Sequence, residues 1–389
     1  MTTRTFADLG VEQDLVDVLN QRGIDSPFEI QELSIPDVLA GRDVCGKAKT
    51  GSGKTLAFGL PLIQILPAGR PGRPTGLALV PTRELAVQVC RELAPLAACR
   101  DLRVEAIYGG APIEKQIAAL NKGVDFVVAT PGRMIDLIDR GEVSVADVAG
   151  VVIDEADRMA DMGFMPQVEW ILRHSERNHQ TLLFSATLDG MVGGLIRRYQ
   201  REPVMHEVVT REVTMAEMEH RFLAVHEMDQ VKVAATIINS NSRTLLFVRT
   251  RWGADKLTRQ LDGEGVNSAA IHGDLRQAHR EKSLADFSKG RIQALVATDV
   301  AARGIHVDDV DVVIHFDPPS DAKTYVHRSG RTARAGESGV VVSLVRWDGE
   351  LEVRKLMRRL GLKQPIVEIF SNDSRLDDLL AWDPTEDAA

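Results

Sequence analysis

Short apolar runs rich in β-branched residues recur along the chain between segments of helical character: Leu77-Ala78-Leu79-Val80, Phe126-Val127-Val128-Ala129, Val151-Val152-Ile153 and Leu182-Leu183-Phe184. Such runs lack the alternation of a half-solvated strand. They suit strands covered on both faces, as in a parallel sheet sandwiched between helices. The pattern restarts after about residue 215, with Thr244-Leu245-Leu246-Phe247-Val248, Ala294-Leu295-Val296-Ala297, Val312-Val313-Ile314 and Val340-Val341-Val342. The halves echo each other in order. Leu79-Val80-Pro81-Thr82-Arg83 answers Phe247-Val248-Arg249-Thr250-Arg251, and Val128-Ala129-Thr130 answers Val296-Ala297-Thr298, with equal intervals between members. The sequence therefore predicts a duplicated α/β fold, each unit a parallel sheet with helices on both faces. A length of 389 residues suits two such domains. The expected boundaries are 1–207 for the first unit, 208–218 for a linker, 219–368 for the second unit and 369–389 for a short acidic tail that frays.

With 44% hydrophobic and 26% charged residues the chain has the composition of a globular protein, and its formal charge of −9 excludes binding of nucleic acid through a bulk basic field. Any such binding must come from local Arg and Lys clusters. Cys45, Cys90 and Cys99 form no CxxC pair and no zinc spacing, and read as reduced thiols. The start has no apolar signal-peptide stretch, and no run approaches the roughly 18 apolar residues of a membrane helix. A soluble, cytoplasmic protein without a membrane partner is the expectation.

Ala48-Lys49-Thr50-Gly51-Ser52-Gly53-Lys54-Thr55 precedes a helical pattern. Glycines there let backbone N–H groups turn toward phosphate oxygens, Lys54 can reach the β- and γ-phosphates, and the Thr55 hydroxyl suits Mg²⁺. Thr50, Gly51, Ser52, Gly53, Lys54 and Thr55 are the candidate nucleotide ligands, although Ala48 stands where the first glycine of the usual pattern is expected. Val151-Val152-Ile153-Asp154-Glu155-Ala156-Asp157 places acids at the carboxyl end of a buried strand, where open α/β sheets bind ligands. Asp154 would hold Mg²⁺ and Glu155 would polarise the attacking water. A helix start that favours acids near its dipole is the alternative.

Asp154-Glu155-Ala156-Asp157 spells the signature of the DEAD-box RNA helicases, and the other motifs of that family follow in order from Phe6 to roughly residue 345. The resemblance implies two tandem RecA-like domains, use of ATP and Mg²⁺, and single-stranded RNA or short RNA duplexes as partners. Ribosome-assembly or RNA-degradation proteins are the candidate protein partners, and a monomer is expected. Gly23-Ile24-Asp25-Ser26-Pro27-Phe28-Glu29-Ile30-Gln31 resembles the family's adenine-reading segment, with Gln31 reading the adenine edge and Phe6 stacking on the ring. Ser185-Ala186-Thr187 resembles the motif that couples hydrolysis to domain movement; Ser185, Thr187, Asp157 and His327 are the coupling candidates. For RNA the resemblance points to Arg83, Gly109, Gly110, Thr130, Gly132 and Arg133 in the first half, and to Arg249, Thr250, Gln277, Arg280 and Thr298 in the second. All would be directed at the backbone, with little sequence preference.

In His327-Arg328-Ser329-Gly330-Arg331-Thr332-Ala333-Arg334 the last two arginines, Arg331 and Arg334, lie three apart and would share one helical turn. By resemblance they reach the γ-phosphate as arginine fingers. Gly304 and His306 fall in the segment that holds the nucleotide, and His306 stands where the family more often has Asp. The mechanism so implied is an ATP hydrolase coupled by domain closure to local unwinding of RNA duplexes or remodelling of RNA–protein complexes. An ATP-gated RNA clamp or annealing chaperone would keep the same motifs, and a DNA translocase is a further alternative.

Overall fold

A computed structural model describes residues 4–49, 51–176, 178–208, 218–241, 243–299, 310–332 and 339–384. The chain divides into two compact units, Met1–Thr210 and Arg211–Ala389. The first holds β1 (Val44–Lys47), β2 (Gly76–Leu79), β3 (Val104–Ile107), β4 (Phe126–Ala129), β5 (Gly150–Asp154), β6 (Gln180–Ser185) and β7 (Val204–Glu207). The second holds β8 (Glu219–Ala224), β9 (Thr244–Val248), β10 (Ser268–Ile271), β11 (Ala294–Thr298), β12 (Val312–His315), β13 (Val340–Val345) and β14 (Ile366–Glu368).

Each unit is one seven-stranded parallel sheet, in the orders β3-β4-β2-β5-β6-β1-β7 and β10-β11-β9-β12-β13-β8-β14. Each position of the second order is the first order's strand number plus seven, so the duplication read from two short echoes extends to every strand. The alternation of side chains divides each strand between two cores. Ala78, Val128, Val152 and Leu182 pack on one face with Phe58 and Leu93, while Leu77, Leu79, Val127 and Ile153 pack on the other with Met134 and Ile171. Both faces being covered explains why these strands read as unbroken apolar runs. Burying each Leu or Ile contributes about 1.5–3 kcal/mol.

Pairing sets the level of the strand ends. Lys47 is opposite Ser185, and Asp154 is opposite Phe184, so the residues after β1, β5 and β6 emerge side by side.

The end of the chain departs from expectation. Ile369, Leu376 and Leu379 are buried in the second unit's core. Arg221 in β8 donates from Nε to the Leu379 carbonyl at 3.1 Å and from Nη2 to the Trp382 carbonyl at 2.6 Å. The segment through Trp382 is therefore a packed closing strap rather than a frayed tail, because its three spaced apolar residues cover strands that would otherwise face water. No helix among the described residues is long and apolar enough to cross a membrane.

Candidate active site and nucleic-acid interface

The turn after β1 is built on glycine. Gly51 and Gly53 have φ of 83° and 84°, and Gly53 is the N-cap of the helix Lys54–Ile65. A Cβ at Gly53 would run into the Gln31 amide and the Phe28 ring. Backbone N–H groups at the head of that helix are left for an anion. Ala48, in the place of the usual glycine, is buried, and its N–H donates to the Ser185 carbonyl at 3.0 Å as an extension of the sheet. Lys54 is 7% exposed, donates to the Ala48 carbonyl at 3.1 Å, and stands 4.0 Å from Asp154 Oδ1. The Thr55 hydroxyl is hydrogen-bonded with Glu92, whose carboxyl burial pushes upward.

Asp154 ends β5. Burial pushes its pKa up to about 6 against the pull of Lys54, and Glu155 beside it adds to the rise. Its Oδ1 accepts from the Glu155 N–H at 2.9 Å. Glu155 is 4% exposed and lies in the left-handed region at φ 51° and ψ 49°. A residue with a Cβ is rare there, and such strain persists only where the surroundings enforce it. Its Oε2 accepts from Arg158 Nη1 at 2.6 Å. The Asp157 N–H donates to Ser185 Oγ at 3.1 Å, which joins the end of β6 to the acidic turn, whereas Thr187 is exposed.

Gln31 is buried at the third position of the helix Glu29–Leu39. Its Oε1 accepts from the Phe28 N–H at 2.8 Å and its Nε2 donates to the Gly53 carbonyl at 2.9 Å, so this side chain is fastened to the glycine turn. Phe6 is 1% exposed inside the core and offers no free face for stacking; the aromatic surface beside Gly53 belongs to Phe28, 60% exposed. The reason is local. The 3₁₀ turn Ala7–Leu9 folds the Phe6 ring under the helices, while Phe28 sits outside the first turn of its own.

Adjacent strands β3, β4 and β2 bring a second group together. Thr82 caps the helix Arg83–Ala98 by accepting from the Leu85 N–H at 3.3 Å. The Arg83 guanidinium lies on Gly110, whose φ of 87° and missing Cβ make the room. Thr130 is the N-cap of the helix Pro131–Asp139, with Gly132 exposed and Arg133 donating to Gln116 Oε1 at 2.9 Å. Strands β10, β11 and β9 repeat the arrangement. Thr250 caps the helix Arg251–Gly263 by accepting from the Gly253 N–H at 2.9 Å, and Arg251 lies beside Gly273 and pairs with Asp274. Arg249 is exposed, with its N–H donating to Asp317 at 2.8 Å. Gln277 and the buried Arg280 share the helix Gln277–Ser288, and Thr298 ends β11, also buried.

Residues 28–192 match the sequence model of the DEAD/DEAH box helicases and residues 229–336 that of the helicase conserved C-terminal domain. The DEAD-box ATP-dependent RNA helicase CshA of Geobacillus kaustophilus is 41% identical over 343 residues, covering 88% of this chain and 73% of that protein. This chain belongs to the DEAD-box ATP-dependent RNA helicases. With the family comes ATP-dependent RNA helicase activity. The CshA helicase of Listeria monocytogenes is 40% identical over 87% of this chain, which spans 66% of that relative. Among solved structures, Saccharomyces cerevisiae Dbp5 bound to RNA and ADP BeF3 matches with a TM-score of 0.77 at 27% identity, covering 95% of this chain and 96% of the other. A DEAD box protein from Methanococcus jannaschii matches with a TM-score of 0.51 at 34% identity over 94% and 99% of the two chains. The two parallel sheets are the tandem RecA-like domains of this family.

The arginine segment of this DEAD-box protein differs from expectation. The helix Ala322–Ser329 stops at Gly330, and the Thr332 hydroxyl donates to the Val310 carbonyl at 2.6 Å. Arg331 therefore lies in the turn beyond the helix. Arg334, Gly304, His306 and Thr50 lie outside the described residues. His327 is exposed on the last turn. The neighbour that sequence reasoning passed over is Arg328. It is buried, binds both carboxylate oxygens of Asp299 at 2.6 and 2.8 Å, donates to the Asp317 carbonyl at 2.7 Å and lies over Phe247. Its burial depends on β9 and β11 lying beside the helix, which no local pattern reports.

Proposed function

We propose that the first unit is the ATP-hydrolysing domain and that Lys54, Asp154 and Glu155 carry its chemistry. The observation behind this reading is the placement of three charged side chains, each under a tenth exposed, around one glycine turn: Lys54, Asp154 and Glu155. Charge is kept out of water at that density where a site needs it. Lys54 and the N–H groups of the turn bind the phosphates, Gln31 exchanges its present bonds for the adenine edge, and Glu155 takes the proton of the attacking water. The oxygen donors Asp154 and Thr55 fit Mg²⁺, a hard cation that would neutralise charge on the phosphates. Arg331 and Arg334 complete the site when ATP and RNA draw the domains together, and Ser185 with Asp157 transmits that closure.

RNA binds along the two equivalent edges carrying Arg83, Gly109, Gly110, Thr130, Gly132 and Arg133, and Arg249, Thr250, Gln277, Arg280 and Thr298. Caps, glycines and arginines contact phosphate and sugar rather than bases, which supports sequence-independent binding and local unwinding of short duplexes. A cytoplasmic monomer belongs to the same proposal. The test is ATP hydrolysis by the full chain with and without single-stranded RNA, followed by strand displacement on a short duplex. A rise in turnover with RNA and release of the strand are expected. Equal hydrolysis in both conditions would overturn the coupling, and stimulation without displacement would favour the clamp.

A further inference from the structure

We propose that Trp252 is a stacking platform for one unpaired base of the bound RNA strand. This rests on the RNA reading above and adds to it a contact with a base. Trp252 is the second residue of the helix Arg251–Gly263 and follows the cap residue Thr250. Its indole is 68% exposed, so it does not serve the core. Lys256, one turn on, lies over the ring at 5.2 Å from the centroid. The cation pins the ring in place from one side.

The surroundings favour a polyanion. Residues 249–259 carry Arg249, Arg251, Lys256 and Arg259 against the single acid Asp255, in a chain whose net charge is −9. Asp255 is engaged by His272 Nε2 at 3.0 Å, and all four cations are exposed. The duplication supplies a comparison within the molecule. Thr82 and Arg83 of the first unit correspond to Thr250 and Arg251 in cap and glycine contact, and the next residue there is Glu84. The ring is a feature of the second unit alone.

Backbone contacts grip a strand without regard to its bases, whereas an aromatic face holds any base that is free of a partner stack. Bases inside a duplex are already stacked on both sides. Trp252 thus gives the second unit a preference for single strands that the phosphate contacts lack.

The test is binding of the full chain to an oligouridylate of about ten nucleotides, and to an abasic strand of the same length, by fluorescence anisotropy. W252A is expected to bind the oligouridylate about fivefold or more weakly, W252F to recover most of the loss, and the abasic strand to bind wild type and W252A alike. Emission from Trp252, isolated among the four tryptophans as wild type minus W252F, is quenched by the oligouridylate. Equal affinity of W252A and wild type for the oligouridylate would overturn the proposal, as would a loss that persists on the abasic strand. Wild type that binds neither strand would remove the RNA reading itself. Unchanged thermal melting of W252A certifies the fold, and a tryptophan that served a protein partner would leave all RNA readouts unmoved.

Discussion

Arg158 and Glu155 form an ion pair of 2.6 Å in which the guanidinium is 14% and the carboxylate 5% exposed, and Arg158 Nη2 is buried with no hydrogen-bond partner among the described residues. A carboxylate so enclosed is tolerated because a cation faces it. Replacing Arg158 by Met removes the cation that faces Glu155 Oε2, and breaking a buried pair from one side costs on the order of 3 kcal/mol. The double variant E155Q/R158M removes both charges and is expected to recover more than half of that loss in urea denaturation. E155Q alone keeps ATP and RNA binding while turnover falls by about 10²–10⁴ in a steady-state ATPase assay. Loss of nucleotide binding in E155Q would assign Glu155 to the binding of ATP instead.

Gln31 reaches the glycine turn through a bond to the Gly53 carbonyl, and Gly53 has no room for a side chain. G53A must both leave a left-handed φ and push Gln31 aside. Its ATP affinity is expected to fall at least about tenfold by fluorescent-nucleotide titration, a modest value for a site that loses preorganised donors. Q31A is expected to lose discrimination between ATP and GTP, read as the ratio of their kcat/KM values, because a purine edge then meets no amide. An unchanged ratio would move adenine recognition elsewhere, with the exposed ring of Phe28 the nearest surface.

What the sequence made legible follows from how local each determinant is. Lys54, Asp154 and the capping threonines Thr82 and Thr250 sit where a strand ends and a helix begins, and strand end, glycine turn and cap are all written in consecutive residues. The two-sheet architecture is legible for the same reason, since strands buried on both faces carry no polar alternation. The burial of Phe6 is set by helices that fold over it, and the end of the helix before Arg331 by the pull of Thr332 toward Val310. Neither is encoded nearby. Arg328 and Asp299 are 29 positions apart, and each looks like an ordinary surface charge until β9 and β11 bring them together.

His315 closes β12 completely buried, edge-on to Tyr325 with centroids 4.5 Å apart, and its Nε2 has no hydrogen-bond partner among the described residues. Burial holds its pKa well below the ordinary histidine value, with Arg328 and His220 adding to the effect. Because the folded pKa is depressed, the unfolded chain takes up a proton below pH about 6.5 that the folded chain refuses. Stability is full above that pH and falls as pH drops, by at most about 1.4 kcal/mol per pH unit. H315N does not titrate. The gap between wild type and H315N in urea midpoint is expected to narrow between pH 7.5 and 5.5, and a constant gap would show that His315 accepts the proton while folded.

The closing strap gives the sharpest contrast between composition and role. Its acids Asp373, Asp377 and Asp378 suggest a solvated end, yet Arg221, which is 3% exposed, finds two carbonyl acceptors there and lies 5.8 Å from the centre of the Trp382 ring. Ending the chain after Glu368 would leave that guanidinium only Glu219 and the His220 carbonyl as partners among the described residues and would uncover Ile369's, Leu376's and Leu379's places in the core. Three aliphatic side chains at about 1.5–3 kcal/mol each, together with the carbonyl acceptors that Arg221 loses, are comparable to the margin of many domains. The truncated chain is expected to keep a folded first unit and lose the cooperative melting of the second, seen as protection from hydrogen exchange in β2 and β5 but not in β8 and β13. L379A in the intact chain is the milder version, expected to destabilise the second unit by about 2–4 kcal/mol. Equal protection of β8 in both chains would show that the strap covers the domain without supporting it.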